Sequence, residues 1–132
     1  MFKPQHCGLF FTENHVGQAR RDRDSEPFRM AYLYLHDREQ QGADAAQWNG
    51  LRYRFEGDEN AGEIAIAALE RYISEPMIED MTYLDVVAQT MMLAQAFEMT
   101  RDHSAWAQGG QIRWLNLFQD RVNTLSTSPW LA

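Results

Sequence analysis

Residues 51–59 read LRYRFEGDE, and residues 93–103 read LAQAFEMTRDH. Each stretch ends an amphipathic helical pattern on a Phe-Glu pair, passes through a polar link and starts a new pattern at an aspartate. A shorter phrase, LFFTE at residues 9–13, also places apolar residues directly before a helix N-cap. Recurring helix–link–helix segments predict stacked antiparallel helical hairpins, as in a helical bundle.

Around these links the sequence predicts about six helices. The residues expected at their N-termini are Thr12, Ser25, Asp44, Asp58, Thr82, and either Asp102 or Ser104. The fifth helix is expected to be central, with an inner face of Val86, Val87, Met91, Ala94 and Phe97. The sixth is expected to pack through Ile112, Leu115, Phe118, Val122 and Leu125.

The same pattern argues against β-structure. Val, Ile and Thr are sparse, and no two alternating runs flank a tight Asn-Gly or Asp-Gly turn. We therefore expect an all-α domain that spans residues 1–132, with residues 126–132 as a loose tail.

Composition limits the classes of partner. A net charge of −7 argues against nucleic acid, because phosphate binding needs concentrated positive charge. No apolar run approaches the ~20 residues of a membrane span, and the N-terminus lacks a secretion pattern, so we expect a cytoplasmic chain without membrane contact. Cys7 is the single cysteine and is expected to be an inert small residue.

Positive charge is concentrated in the first third of the chain. Arg20, Arg21 and Arg23 fall close together there, while the middle of the chain is acidic. The planar guanidinium suits carboxylate partners, which makes these three arginines candidate ligand-binding residues. The alternative is ordinary surface pairing with the acidic middle.

Patterns that would identify an enzyme are missing from the sequence. It has no Glu-x-x-His repeat, His-Glu-x-x-His motif, phosphate loop or nucleophile elbow, so no catalytic residue, metal site or cofactor is assigned. His36 and Glu39 share a helix face and fit a surface role better than a metal site. Glu56 and Glu98 occupy equivalent repeat positions, which favours packing or capping over acid–base catalysis.

Tryptophans offer a second kind of candidate site. Trp106 and Trp114 fall near the ends of paired helices, where an indole can stack on a sugar ring or fill the core. Trp48 lies on an apolar stripe and is expected in the core. We therefore predict Trp106 and Trp114 as candidate ligand-binding residues beside the three arginines.

The phrase GLFFTE at residues 8–13, followed by the arginine-rich helix, resembles the opening of the N-terminal helical domain of heparinase II/III-like and alginate-lyase-like polysaccharide lyases. The link FEGDENA at residues 55–61 is similar to the hairpin turn of that family, and RDHSAW at residues 101–106 is a looser copy. The resemblance implies an incomplete α/α toroid with a cleft for long sugar chains. The family's catalytic histidine and tyrosine have no matching motif here.

Two functions lead at this point, and a stand-alone enzyme ranks third because no constellation of acid, base and nucleophile is visible. The first is a non-catalytic domain like the N-terminal part of such lyases, which serves as a scaffold or binds an oligosaccharide or polysaccharide. The second is a small helical-repeat module that binds another protein, with self-association through Leu115, Phe118 and Val122 as a candidate mode. Both leave apolar helix faces uncovered, which predicts self-association on either hypothesis.

Overall fold

Helices account for nearly all regular structure in the part of the chain that the computed structural model describes, residues 12–26, 29–30, 32–33, 42–75 and 83–126. Five helices have defined bounds within these ranges: α1 (Glu13–Asp22), α2 (Gly42–Glu56), α3 (Glu59–Ser74), α4 (Tyr83–Thr100) and α5 (Gly110–Ser126). Residues 29–30 and 32–33 are also helical, and no described residue belongs to a β-strand. The all-α prediction is confirmed.

Two helix starts follow directly from local side-chain chemistry. The Thr12 hydroxyl accepts the backbone N–H of His15 at 3.3 Å, and His15 Nδ1 accepts the backbone N–H of Thr12 at 3.2 Å. At the start of α3, Asp58 Oδ1 accepts the backbone N–H of Ala61 at 3.0 Å. Each cap satisfies amide groups that have no partner inside the helix. The predicted N-termini at Thr12 and Asp58 are confirmed.

Helix α2 packs against α3, α4 and α1, and α5 packs against α3. The link between α2 and α3 is only two residues long and includes Gly57 at φ 74°, so these helices form the predicted hairpin. At Gly50, a Cβ would lie 3.4 Å from the Cα of Ala96 on α4, ordinary contact that shows how closely α2 and α4 approach. The buried core lies between α2, α3, α4 and α5.

The second repeated stretch behaves differently from the first. Helix α4 ends at Thr100, and residues 101–109 form turns before α5 begins at Gly110, after Gly109 at φ 75°. The predicted starts of the last helix at Asp102 or Ser104 are therefore wrong, as is the α2 start at Asp44, since α2 begins at Gly42. Residues in the 101–109 turns form hydrogen bonds with one another and with Glu59 of α3. This longer connection stands where the sequence predicted a short hairpin link.

The inner faces of α4 and α5 match the sequence prediction only in part: Phe97 lies in the core and Phe118 packs against it, as predicted, whereas other predicted residues do not. On α4 the buried residues are Leu93, Ala96, Phe97, Met99 and Thr100, whereas Leu84, Val87 and Met91 are exposed. On α5, Trp114 is buried and Phe118 packs against the core, whereas Ile112, Leu115 and Val122 are exposed. Both helices are apolar over a wide arc, so the apolar pattern did not select the side that faces the core.

His103 fixes the turn after α4 against the start of α3. Its ring is buried, its Nδ1 accepts the backbone N–H of Ala105 at 2.9 Å, and its Nε2 lies 3.0 Å from both the backbone and a carboxylate oxygen of Glu59. Because Nδ1 accepts a hydrogen bond, the ring hydrogen is on Nε2, which donates a hydrogen bond to Glu59. A Cβ on Gly62 would lie 2.4 Å from His103 Cδ2, so glycine is required there by contact.

Several predictions fall outside the described residues. They include the tail beyond residue 126, the start at Thr82, Cys7, the His36–Glu39 pair and most of the second helix. The described part of that helix contains Met30 and Leu33, which are 66% and 45% exposed. No described helix combines the length and apolarity needed to cross a membrane.

Two glycine-to-alanine substitutions give opposite expected results. Gly17→Ala on α1 places its Cβ 3.4 Å from the Arg21 guanidinium and should raise the free energy of unfolding by up to about 1 kcal/mol, from helix propensity. Gly62→Ala must displace the His103 ring and should lower it by about 1–3 kcal/mol. Urea unfolding followed by circular dichroism measures both. Stabilisation by Gly62→Ala would contradict the close contact with His103.

Candidate functional site

Trp106 and Trp114 lie in the core, only 7% and 2% exposed. The Trp114 ring stacks on Phe97 at 5.0 Å and on Phe118 at 4.7 Å between centroids, and its indole N–H donates to the carbonyl of Leu69 at 2.9 Å. The Trp106 indole N–H donates to the carbonyl of Thr100 at 2.8 Å. Neither indole presents a free face to a sugar ring, which corrects their assignment as ligand-binding residues.

The three candidate arginines have different surroundings. Arg20 donates from Nε to the carbonyl of Phe55 and from Nη2 to that of Arg54 at 3.2 Å, so it caps the C-terminus of α2 from a neighbouring helix. Arg21 donates to the side chain of Gln18 at 2.8 Å, on its own helix. Arg23 pairs with Asp24 at 3.7 Å. The structure brings Arg20 and Arg23 to one cavity and leaves Arg21 outside it.

That cavity, hereafter the Trp48 cavity, has a volume of about 250 Å³ and lies where α1 and Tyr32 meet α2. Its apolar wall consists of Ala19, Trp48, Leu51 and Phe55. Its polar lining consists of Arg20, Arg23, Tyr32, Arg52 and Glu56. Among the described lining residues, three side chains are cationic and one is anionic, and two of the three cations also pair with Asp24 and Asp58 outside the lining.

Several of these polar groups are already engaged within the protein. The Tyr32 hydroxyl donates to a Glu56 carboxylate oxygen. Arg52 Nη2 donates to Asp58 at 2.8 Å, and its Nε, 3.7 Å from Glu56, is buried without a hydrogen bond. Burial, followed by the hydrogen bond to Glu56 and its charge, raises the pKa of Tyr32 to about 12. Tyr32 therefore stays a neutral hydrogen-bond donor at physiological pH.

A second cluster surrounds Tyr53 at the junction of α2 and the 101–109 turns. Its hydroxyl donates to Asp102 at 3.2 Å, Arg54 Nη1 lies 3.4 Å from the other Asp102 oxygen, and its ring meets the His103 ring edge-on at 4.8 Å. Burial and then the charge of Asp102 raise the pKa of Tyr53 to about 12. These contacts fasten the turn to α2, and the His103 ring is enclosed by them.

Helix α4 presents an uncovered apolar surface, hereafter the α4 stripe: Leu84, Val87 and Met91, which are 76%, 37% and 55% exposed. Their spacing of three and four residues places them on one side of the helix, opposite the buried Leu93. Helix α4 contains Asp85 and Glu98 and no lysine or arginine. The surface is therefore apolar with acidic residues on the same helix.

The two glutamates at equivalent repeat positions have separate structural partners. Glu56 contacts Tyr32 and Arg52, whereas Glu98 lies 3.6 Å from Arg101. Within the described residues, no group of three or more His, Cys, Asp and Glu side chains is placed to hold a metal ion.

Sequence reasoning missed the cavity and His103. The cavity depends on the approach of α1 to α2, and only the three- and four-residue spacing of Trp48, Leu51 and Phe55 signalled its wall. His103 belongs to no recognisable motif, and nothing local signals its contact with Gly62, 41 positions earlier in the chain.

No protein-family model matches the chain, and neither a curated protein nor a solved structure is significantly similar to it. The resemblance to polysaccharide lyases therefore remains a prediction from short motifs.

Substitution of Arg20 and of Arg21 compares an arginine that bonds to another helix with one that bonds only within its own helix. Arg20→Ala removes two donors from the α2 carbonyls and should lower the free energy of unfolding by about 1–2 kcal/mol. Arg21→Ala removes a contact within α1 and should change it by less than about 0.5 kcal/mol. Urea unfolding of both variants provides the comparison. Equal effects would show that Arg20 does not join α1 to α2.

Alkaline titration tests the raised tyrosine pKa values. Because the folded pKa of Tyr32 and of Tyr53 is about 12, above the ordinary value near 10, the associated stability is complete below about pH 10 and is lost as pH rises towards 12. Absorbance at 295 nm should show a tyrosinate component near pH 12 that decreases in Tyr53→Phe. If the component lost in that variant titrates near pH 10, the buried hydrogen-bonded geometry is wrong.

Proposed function

We propose that this protein is a helical interaction module that binds a basic amphipathic helix of another protein through the α4 stripe. The observation that carries the proposal is the exposure of Leu84, Val87 and Met91 on one side of α4, whose C-terminal half buries Leu93, Ala96 and Phe97 in the core. Apolar side chains in register are the surface to which an amphipathic helix docks, at intervals of three, four and seven residues.

Charge favours a basic partner. Helix α4 has two carboxylates and no cationic residue, and the whole chain carries −7. A partner with lysine or arginine beside its apolar face gains electrostatic attraction on approach. A second copy of this chain meets the same negative charge, so like-charge repulsion opposes self-association.

Helix α5 supplies a second uncovered apolar surface. Ile112, Leu115 and Val122 are 67%, 43% and 37% exposed, so this helix also has more apolar surface than its packing on α3 uses. A domain with two such helices is typical of the solenoid-like modules that bind proteins on an extended face.

Carbohydrate binding by a domain resembling the N-terminal part of polysaccharide lyases is the second candidate. The observation that favours it is the presence of Arg20 and Arg23 in one cavity with Trp48. The two tryptophans that were predicted to stack on sugar rings, Trp106 and Trp114, are buried in the core, which weakens this candidate. The interaction module therefore has the stronger physical support.

Binding to designed helical peptides tests the interaction proposal. The full chain is titrated calorimetrically at 150 mM salt with a leucine–lysine amphipathic helix and with its leucine–glutamate counterpart. The basic peptide should bind and the acidic peptide should not. Met91→Gln, which leaves the net charge unchanged, should weaken binding by about tenfold through the loss of apolar contact.

Ile64→Gln is the matched control, because Ile64 is 43% exposed on α3, outside the α4 stripe. It should leave the affinity unchanged. Equal weakening by Ile64→Gln and Met91→Gln would contradict a specific surface on α4, as would the absence of binding by a folded protein. Dimerisation that Met91→Gln abolishes would replace the basic helix with a second copy of the chain.

A further inference from the structure

We propose that the Trp48 cavity binds a small carboxylic acid with an apolar body of one ring or a short alkyl chain. This inference goes beyond the interaction proposed above and involves no residue of α4. It rests on the size of the cavity, the character of its wall and the state of each charged group around it.

Size and wall fit a compact apolar group. The cavity holds about 250 Å³, more than the roughly 150 Å³ apolar cavity that accepts benzene in an engineered protein. Trp48, Leu51 and Phe55 form a continuous wall from one face of α2, and Ala19 of α1 faces the same space. A single ring buried against this wall exchanges water contact for apolar contact, which is the main source of affinity in small pockets.

The charged lining specifies the head group. Arg20 already donates to two α2 carbonyls, and Arg52 is neutralised by Asp58 and Glu56. Arg23 has the weakest engagement: its ion pair with Asp24 spans 3.7 Å, and the Asp24 side chain is 80% exposed. Asp24 can turn to water at little cost. A ligand carboxylate can then form charge-assisted hydrogen bonds to the Arg23 guanidinium.

The charges and existing hydrogen bonds of the lining residues also disfavour a sugar or a cation as the ligand. A sugar ring needs several hydrogen-bond partners for its hydroxyls, whereas the Tyr32 hydroxyl, Arg20 and Arg52 are bonded to protein groups. A cation would meet three guanidinium groups and a Glu56 carboxylate that is bonded to Tyr32 and adjacent to Arg52. An anionic, otherwise apolar molecule is the class that satisfies both parts of the cavity.

Nuclear magnetic resonance of the full chain tests the proposal with 3-phenylpropionate as the probe. The readout is the Trp48 indole N–H resonance, which is assigned by its loss in Trp48→Phe. 3-Phenylpropionate should shift this resonance saturably, without shifting the resonance of the buried Trp114 indole. The neutral analogue 3-phenylpropan-1-ol should bind at least about tenfold more weakly, because it cannot pair with Arg23.

Substitutions test separately the contribution of the Arg23 charge and that of the cavity volume. Arg23→Gln should weaken 3-phenylpropionate binding about tenfold, whereas Arg71→Gln, which removes a comparable exposed ion pair of 3.6 Å with Glu75, should leave it unchanged. Ala19→Leu should abolish binding by filling the cavity while Arg23 remains.

Four results would overturn the proposal. Equal affinity for the alcohol and the acid would remove the role of charge, and equal weakening by the two arginine variants would remove the role of Arg23. Tighter binding of glucuronate than of 3-phenylpropionate would identify the cavity as a sugar site and support the second candidate function. No shift of the Trp48 resonance in a folded protein would show that the cavity takes none of these ligands.

Discussion

The Trp114 ring, inserted between Phe97 and Phe118, is the contact that holds α5 against the rest of the helical core. It joins α4 to α5, and the hydrogen bond from its indole to the Leu69 carbonyl joins both to α3. A buried indole that lacked this acceptor would leave a polar group without a partner, at a cost of about 1–3 kcal/mol. The stack thereby sets which side of α5 faces inwards, whereas the close packing of α2 on α4, where Gly50 meets Ala96, sets the inner side of α4.

That constraint links the core to function. Trp114 is held by stacking and Trp106 by an edge-on contact with Phe97, and both indoles donate to backbone carbonyls, so the aromatic residues near the last two helices serve structure. The exposed remainder of α4 is apolar and acidic, which is suited to a basic helix. The Trp48 cavity lies on another part of the molecule, where α1 is fastened to the end of α2 by Arg20, and it differs in chemistry by combining an apolar wall with cationic groups.

The sequence predicted the features that depend on neighbouring residues, namely helix caps and the inner face of α3. Thr12 and Asp58 cap helices as expected, and the inner face of α3, with Ile66, Leu69 and Ile73, follows from its spacing. The orientation of α4 and α5 did not follow, because each has apolar residues on more than one side. Tertiary contacts select among these sides: packing on α2 for α4, and the Trp114 stack for α5. The candidate site shows the same limit. The sequence identified Arg20 and Arg23 as cationic, but it could not show that Arg20 bonds to the end of α2 whereas Arg23 pairs only with Asp24.

Hydrogen–deuterium exchange of the indole N–H groups tests the central claim most directly. The account predicts that the Trp114 and Trp106 indoles exchange as slowly as the most protected backbone amides, because both donate to buried carbonyls and open only with the core. Exchange at the rate of a free indole would contradict the aromatic stack. The assignment of α4's exposed side to partner binding would then lose its structural basis.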